Sequence, residues 1–370
     1  MSEDVLYGVE GSYYAAKIRA YLMCKGIPFR EHLADRKAFV DHIMPRVGYP
    51  IVPVIVTAND VTLQDTALMI DYYEQRNASP EIVPRAPRLW FASYLLELLA
   101  DEWIKIPALH YRWTYNHDFA VSMMGRNNDP DLPIAKQQEI GAKIATKFST
   151  WPRHLGATET TRGAVEASYL ELLNLLNQHF EIHPYILGDV PSLGDCALAG
   201  PLYAHMYYDP NSRKIMREHA PQVHAWAERI RSVNSVTASH SYTETKLPNS
   251  LTPILTLLGR DYAAVVATAI PLVQTWLEQN DASDIPTYIG QHEFVIGLGT
   301  PYEARGIRSV APFEAWKVQR LMELVDRQPQ DVRRTVEALC VDLGMEPLLS
   351  LTFPQRLEYR NFKLVRARIR

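Results

Sequence analysis

The feature that most constrains this chain is a change of period at three prolines. Up to residue 75, short strand-like and helix-like stretches alternate. Pro80, Pro84 and Pro87 then interrupt the pattern, and from residue 88 to about 231 apolar residues recur at three- and four-residue spacing. Alternating elements build a layered α/β unit, and a long run of helical periods builds a bundle. The 370 residues leave room for two or three domains of about 100–200 residues each.

In the first part, residues 5–8 read as a strand and 14–25 as a helix with Ala15, Ile18 and Leu22 on one face. Gly26 is the expected helix stop, with Pro28 beyond it. Residues 28–33 form a second strand and 36–44 a short helix. Strands at 52–56 and 61–63 are joined by the turn residues Ala58-Asn59-Asp60, and a helix over 65–75 closes the unit. In the second part the clearest helices are 89–99, 134–148, 161–178, 195–207 and 222–230. A polar stretch at 232–249 reads as a linker. Residues 250–370 hold a helix over 260–279, a hairpin pairing 287–296 with 303–310, two more helices and a basic end. The longest apolar run, 262–276, is about 15 residues where a bilayer needs about 20, and it contains Pro271, so it reads as a buried helix.

Four short motifs bear on chemistry. Ser12 lies between the first strand and first helix, among unpaired backbone N–H groups and at the positive end of the helix dipole, where an anion is stabilised. Read locally, it is a helix N-cap. Val52-Pro53-Val54 opens an apolar strand with a proline, which belongs at an edge or a special geometry. Asp65-Thr66, preceded by Gln64, starts a helix; a carboxylate and a hydroxyl there can hold an amino group and a carboxylate together, and both residues are also ordinary caps. Ser192 and Asp195, three apart before an apolar helix, make a capping box with Asp in the usual Glu position, which is a folding signal.

In this order and at these separations the motifs resemble the glutathione S-transferase family. The run Leu6-Tyr7, Ser12, Lys17-Ile18-Arg19 and Lys25-Gly26-Ile27-Pro28-Phe29 is similar to the first βαβ of its theta and omega-like serine-class members, bacterial ones included. Val52-Pro53-Val54 resembles the family's cis-proline motif, and Asp65-Thr66-Ala67 its Glu-Ser-Ala or Asp-Ser-Ala motif. Gly188-Asp189-x-Pro191-Ser192-Leu193-x-Asp195 resembles its buried capping box, and Ala220-Pro221, Trp226 and Arg229 its late proline–tryptophan–arginine helix. The resemblance covers about residues 4–232.

It implies an α/β thioredoxin-like N-terminal domain (1–80), an all-α helical bundle C-terminal domain (87–232), and an extra α+β C-terminal extension (250–370) to which no role carries over. Ser12 would hydrogen-bond the glutathione sulfur. Val52, before Pro53, would offer its backbone to the cysteinyl part. Asp65 and Thr66 would hold the γ-glutamyl amino and carboxylate groups, with Gln64 nearby. The implied activity is a glutathione transferase with glutathione as cosubstrate, a small hydrophobic electrophile as second substrate, and a homodimeric assembly. The departure is Tyr13, where omega-like members carry proline. The rival is a non-catalytic interaction or scaffold module on this fold, since fold does not imply function. A serine-substituted thiol–disulfide reductase is disfavoured because position 12 is not cysteine.

Charge and cysteine usage exclude other classes. A net charge of −4 gives no electrostatic case for nucleic acid or an anionic membrane. The three cysteines form no CxxC pair, which argues against a zinc or disulfide scaffold and fits a reducing, cytoplasmic compartment; MSEDVLYG does not read as an export signal. His110 and His117 lack a third metal ligand at suitable spacing. Gly297-Leu298-Gly299 lacks the third glycine of a dinucleotide loop and reads as a hairpin turn. Asp101-Glu102-Trp103 and His110-Tyr111-Arg112-Trp113 lie on helices that in this family line the second-substrate cleft, although aromatic packing with a solvated charge is the commoner arrangement. The basic end at 356–370 reads as a solvated tail or a subunit contact.

Overall fold

A computed structural model describes residues 3–77, 79–233, 242, 246–280 and 284–367. The linker expected at 232–249 falls largely outside them. Two compact units result: Met1–Pro84 with Ala108–Trp151 and Leu176–Thr243, and Arg85–Pro107 with Pro152–Leu175 and Glu244–Arg370.

In the first unit, β1 (Asp4–Gly8) and β2 (Phe29–Leu33) are parallel, joined by the crossover helix Tyr13–Lys25. β3 (Val54–Val56) runs antiparallel to β1, and β4 (Thr62–Leu63) antiparallel to β3, giving the order β2-β1-β3-β4. The sheet starts at Val54 rather than at the expected residue 52, because Pro53 has no N–H to give to the ladder. Gly26, at φ 63°, ends the crossover helix as its composition implied. The core of the layer is Leu6, Ile18, Tyr21, Leu22, Val54, Ile55, Met69 and Ile70.

The helices His117–Asn128 and Ile134–Phe148 also belong to this unit. They meet through Gly125 and Gly141: a Cβ on Gly125 would lie 1.8 Å from the Gln137 carbonyl oxygen, and one on Gly141 2.0 Å from that of Val121. The helix Leu193–Leu198 continues into a π turn, Ala199–Tyr207. Fully buried Asp195 organises this region. Its Oδ1 accepts from the Ile186 amide and the Trp226 indole, and its Oδ2 from the Ser192 amide and hydroxyl, all at 2.9 Å. The expected capping box is therefore the centre of a four-donor cluster.

In the second unit, helix Pro87–Glu102 packs against Pro312–Asp326 and Gln330–Asp342. Its Glu97 and Asp101, one turn apart, meet Arg320 (3.2 Å) and Lys317 (3.4 Å), and Glu102 meets Lys105 at 2.8 Å. Trp103 packs by Tyr262, their ring centroids 6.0 Å apart. Asp101, Glu102 and Trp103 thus take part in holding this unit together.

The expected hairpin is β5 (Gly290–Ile296) with β6 (Ala304–Val310). Its turn is gripped by Asp261, which accepts from the Gly297 and Leu298 amides at 2.7 and 3.1 Å. The basic end is not a tail: β7 (Leu357–Arg360) and β8 (Lys363–Arg366) form a second hairpin. The Gln319 amide brackets Leu357 by two hydrogen bonds of 2.9 and 3.0 Å, and Tyr359 packs on Trp316. The last three residues lie outside the described ones. Helix Leu251–Gln279 has the length and hydropathy of a membrane span, but 67% of its most apolar window is buried inside the protein, as the sequence suggested.

Candidate functional site

Strand register gathers the sequence motifs at one end of the first sheet. Tyr7 pairs with Val54, so the chain leaving β1 through Gly8 lies beside the residues that enter β3, Val52 and Pro53. Ile55 pairs with Leu63, so Gln64, Asp65 and Thr66 return to that same end. The loop carrying Ser12, the Val52–Pro53 peptide (which is cis) and the start of helix Thr66–Glu74 therefore share one edge.

Ser12 has extended backbone angles and caps the helix Tyr13–Lys25, its Oγ accepting from the Ala15 amide at 3.4 Å. Accepting that bond leaves the hydroxyl proton available as a donor at the helix N-terminus. Asp65 sits at φ 62° and ψ 129°, a sparsely populated conformation outside the left-handed helical region, and its Oδ1 caps Ala67 at 2.9 Å. Thr66 is 1% exposed, yet its Oγ1 has no hydrogen-bond partner among the described residues. An unmet buried hydroxyl is a cost that a ligand oxygen or amine can remove. Gln64, largely buried, is within 3.4 Å of the Tyr49 hydroxyl.

The approach to Ser12 is closely packed. Gly11 faces Met123 and Tyr208, and Tyr208 packs on Phe119 at a centroid distance of 5.6 Å. The Tyr203 hydroxyl donates to Glu10 at 3.0 Å, and Arg19 donates to Glu31 and to the Val9 carbonyl. Burial and the neighbouring Glu10 push the Tyr203 phenol well above its ordinary range. Tyr7 is buried against His32 and His42, so its hydroxyl-bearing ring serves in packing.

Arg112 departs from its expected place. It is 4% exposed, so it is neither a solvated charge nor a group open to a ligand. Nε and Nη2 form a fork on Asp209 (2.8 and 2.7 Å), Nη2 also reaches the Ala204 carbonyl (2.8 Å), and Nη1 reaches the Gly11 carbonyl (2.9 Å) and His205 Nε2 (2.8 Å). Burial and the Arg112 charge hold His205 well below its usual range, so it stays neutral and accepts. Burial raises the Asp209 carboxyl against the opposing pull of Arg112. Met123, His205, Tyr208 and Asp209 carried no motif in the sequence. Asp209-Pro210 reads there only as a helix start.

The chain matches the N-terminal domain of glutathione S-transferases over residues 6–81 and their C-terminal domain over 143–234. No curated relative matches the sequence. Among solved structures it is similar to a glutathione S-transferase from Rhodospirillum rubrum F11 (18% identity, 68% of this chain and 92% of that one, TM-score 0.39). It is also similar to one from Methylobacterium radiotolerans, in complex with glutathione sulfonate (16%, 65% and 100%, TM-score 0.41). A third is a glutathione transferase from Phanerochaete chrysosporium (13%, 63% and 98%, TM-score 0.44). Over residues 6–81 and 143–234 the chain thus carries, in order, the N- and C-terminal domains of the glutathione S-transferase family.

Proposed function

We propose that this protein is a glutathione-dependent transferase that activates the glutathione thiol for attack on a small electrophile. The observation that carries the reading is the unmet, buried Thr66 hydroxyl on the same sheet edge as Asp65 and the donor-competent Ser12. Asp65 takes the γ-glutamyl amino group, and Thr66 the adjoining carboxylate. Val52, with Pro53, offers its backbone to the cysteinyl part, and Gln64 borders the γ-glutamyl end. Ser12 donates its hydroxyl proton to the sulfur, and the helix dipole behind it favours the thiolate over the thiol. Both effects lower the thiol pKa and so raise the fraction of nucleophile at neutral pH.

The protein's setting is reducing and cytoplasmic, consistent with Cys24, Cys196 and Cys340 being buried free thiols. The protein assembles as a homodimer on this reading, an expectation that rests on the family alone and is read directly by sedimentation velocity.

The test is turnover of glutathione with a generic aryl halide. Ser12→Ala should lower kcat about 100-fold, the usual cost of removing one donor to a developing or resident anion, while glutathione binding persists. Full turnover in Ser12→Ala would remove the role given to that residue. Absence of glutathione binding in the wild type would favour the scaffold reading.

A further inference from the structure

We infer that Arg112 is a positioning residue for Ser12: it fixes the Gly11–Ser12 peptide, and through it the direction in which the Ser12 hydroxyl points. The consequence for the reaction rests on the glutathione reading above; the positioning itself does not.

The Gly11 carbonyl and the Ser12 amide belong to one planar peptide group. The carbonyl accepts from Arg112 Nη1 at 2.9 Å, and the amide donates to the Val9 carbonyl at 3.1 Å. The peptide is therefore held at both of its edges, which fixes where the Ser12 Cα–Cβ bond points, and the Ala15 amide then fixes Oγ at 3.4 Å. Arg112 is itself immobile. A guanidinium has five N–H donors in a fixed fork, and all five are used here: two on Asp209 and one each on Ala204, His205 and Gly11. Three of these partners, Ala204, His205 and Asp209, lie on or just after the π turn Ala199–Tyr207. Arg112 thus references the Ser12 loop to that turn.

Its contribution is geometric. Asp209 cancels its charge at 2.7 Å, so little net field reaches the sulfur position. Lysine could neutralise Asp209 but cannot span the five acceptors.

The experiment compares wild type, Arg112→Lys, Ser12→Ala and the double variant, with two readouts. Backbone hydrogen exchange of residues 9–13 reports the loop without any ligand. Arg112→Lys should speed it about tenfold, the loss expected for one hydrogen bond of ordinary strength. In turnover, Arg112→Lys should lower kcat by about tenfold with the glutathione KM within about twofold. In the Ser12→Ala background it should add nearly nothing, because a group that acts through Ser12 has no effect once the hydroxyl is gone.

Wild-type exchange in Arg112→Lys would overturn the inference. So would an Arg112→Lys rate loss equally large with and without Ser12, which is what a merely structural role would give. Should the wild type show neither glutathione binding nor turnover, the functional reading fails, and the exchange readout alone decides the positioning. If Arg112→Lys does not fold, Asp209→Asn replaces it. That change keeps the volume but breaks the charged fork, and should loosen residues 9–13 in the same way; unchanged exchange there would also overturn the inference.

Discussion

Gly11 lies against Met123 so closely that a methyl on its Cα would sit 2.4 Å from the Met123 sulfur, and 3.1 Å from a ring carbon of Tyr208. The loop that presents Ser12 passes them at a residue without a side chain, and a methyl there requires the Met123 thioether to shift. Gly11→Ala should therefore displace the loop or the two side chains. The expected cost is about 1–3 kcal/mol of stability, typical of overpacking, with a fall in kcat because the displaced residue precedes Ser12. Thermal unfolding together with the aryl halide assay checks this; a variant with wild-type stability and rate would show that the loop is less constrained than its packing implies.

Thr66→Val separates binding from folding. The replacement is close in volume and removes a buried hydroxyl with no partner among the described residues. Stability should hold or rise by up to about 1 kcal/mol, whereas glutathione affinity should fall about tenfold. Equal affinity in the two proteins would mean that Thr66 does not touch the ligand.

Asp195→Ala should damage the fold without touching the site edge. It strips the partner from the Ile186 and Ser192 amides and from the Trp226 indole, all inside the protein. Two or three orphaned donors cost about 3–5 kcal/mol together. Asp195→Asn, which keeps one acceptor oxygen, should lose less. Denaturant unfolding measures both.

His179 gives a pH signature. It is fully buried, its Nε2–H donates to the Tyr185 carbonyl at 3.1 Å, and burial lowers its pKa from 6.5 to about 4. The unfolded chain takes up the proton first as pH falls, so the stabilisation from a neutral His179 is complete above about 6.5. It is lost progressively as pH drops through about 4, to a total of up to about 3 kcal/mol. The difference in unfolding free energy between wild type and His179→Gln, followed from pH 7 to 4, isolates this group from the other buried acids. A difference that is flat across the window would contradict it.

What was legible in the sequence was mostly local. Gly26 as a helix stop, Ser12 as a cap and the Ser192/Asp195 box each span a few residues, and the structure keeps all three. The β5–β6 hairpin was legible because strand period and turn residues fall within one short stretch. Arg112 was not, because its partner Asp209 lies 97 positions away and no motif links them. Nor could periodicity show that helix Pro87–Glu102 packs on Pro312–Asp326: an apolar face specifies burial but not what covers it. The C-terminal hairpin was hidden by its charge, since Arg356, Arg360 and Arg366 pair with Glu323, Glu358 and Gln355, which composition alone does not reveal.

The most direct measurement is a calorimetric titration of glutathione into the wild type and Asp65→Asn. Asparagine has the shape of aspartate and its Oδ1 can still cap Ala67, so the fold should be preserved and only the carboxylate charge lost. Saturable binding in the wild type, weakened about tenfold or more in Asp65→Asn at an unchanged Tm, is the result this account predicts. No binding in the wild type, or equal affinity in both proteins, would contradict it.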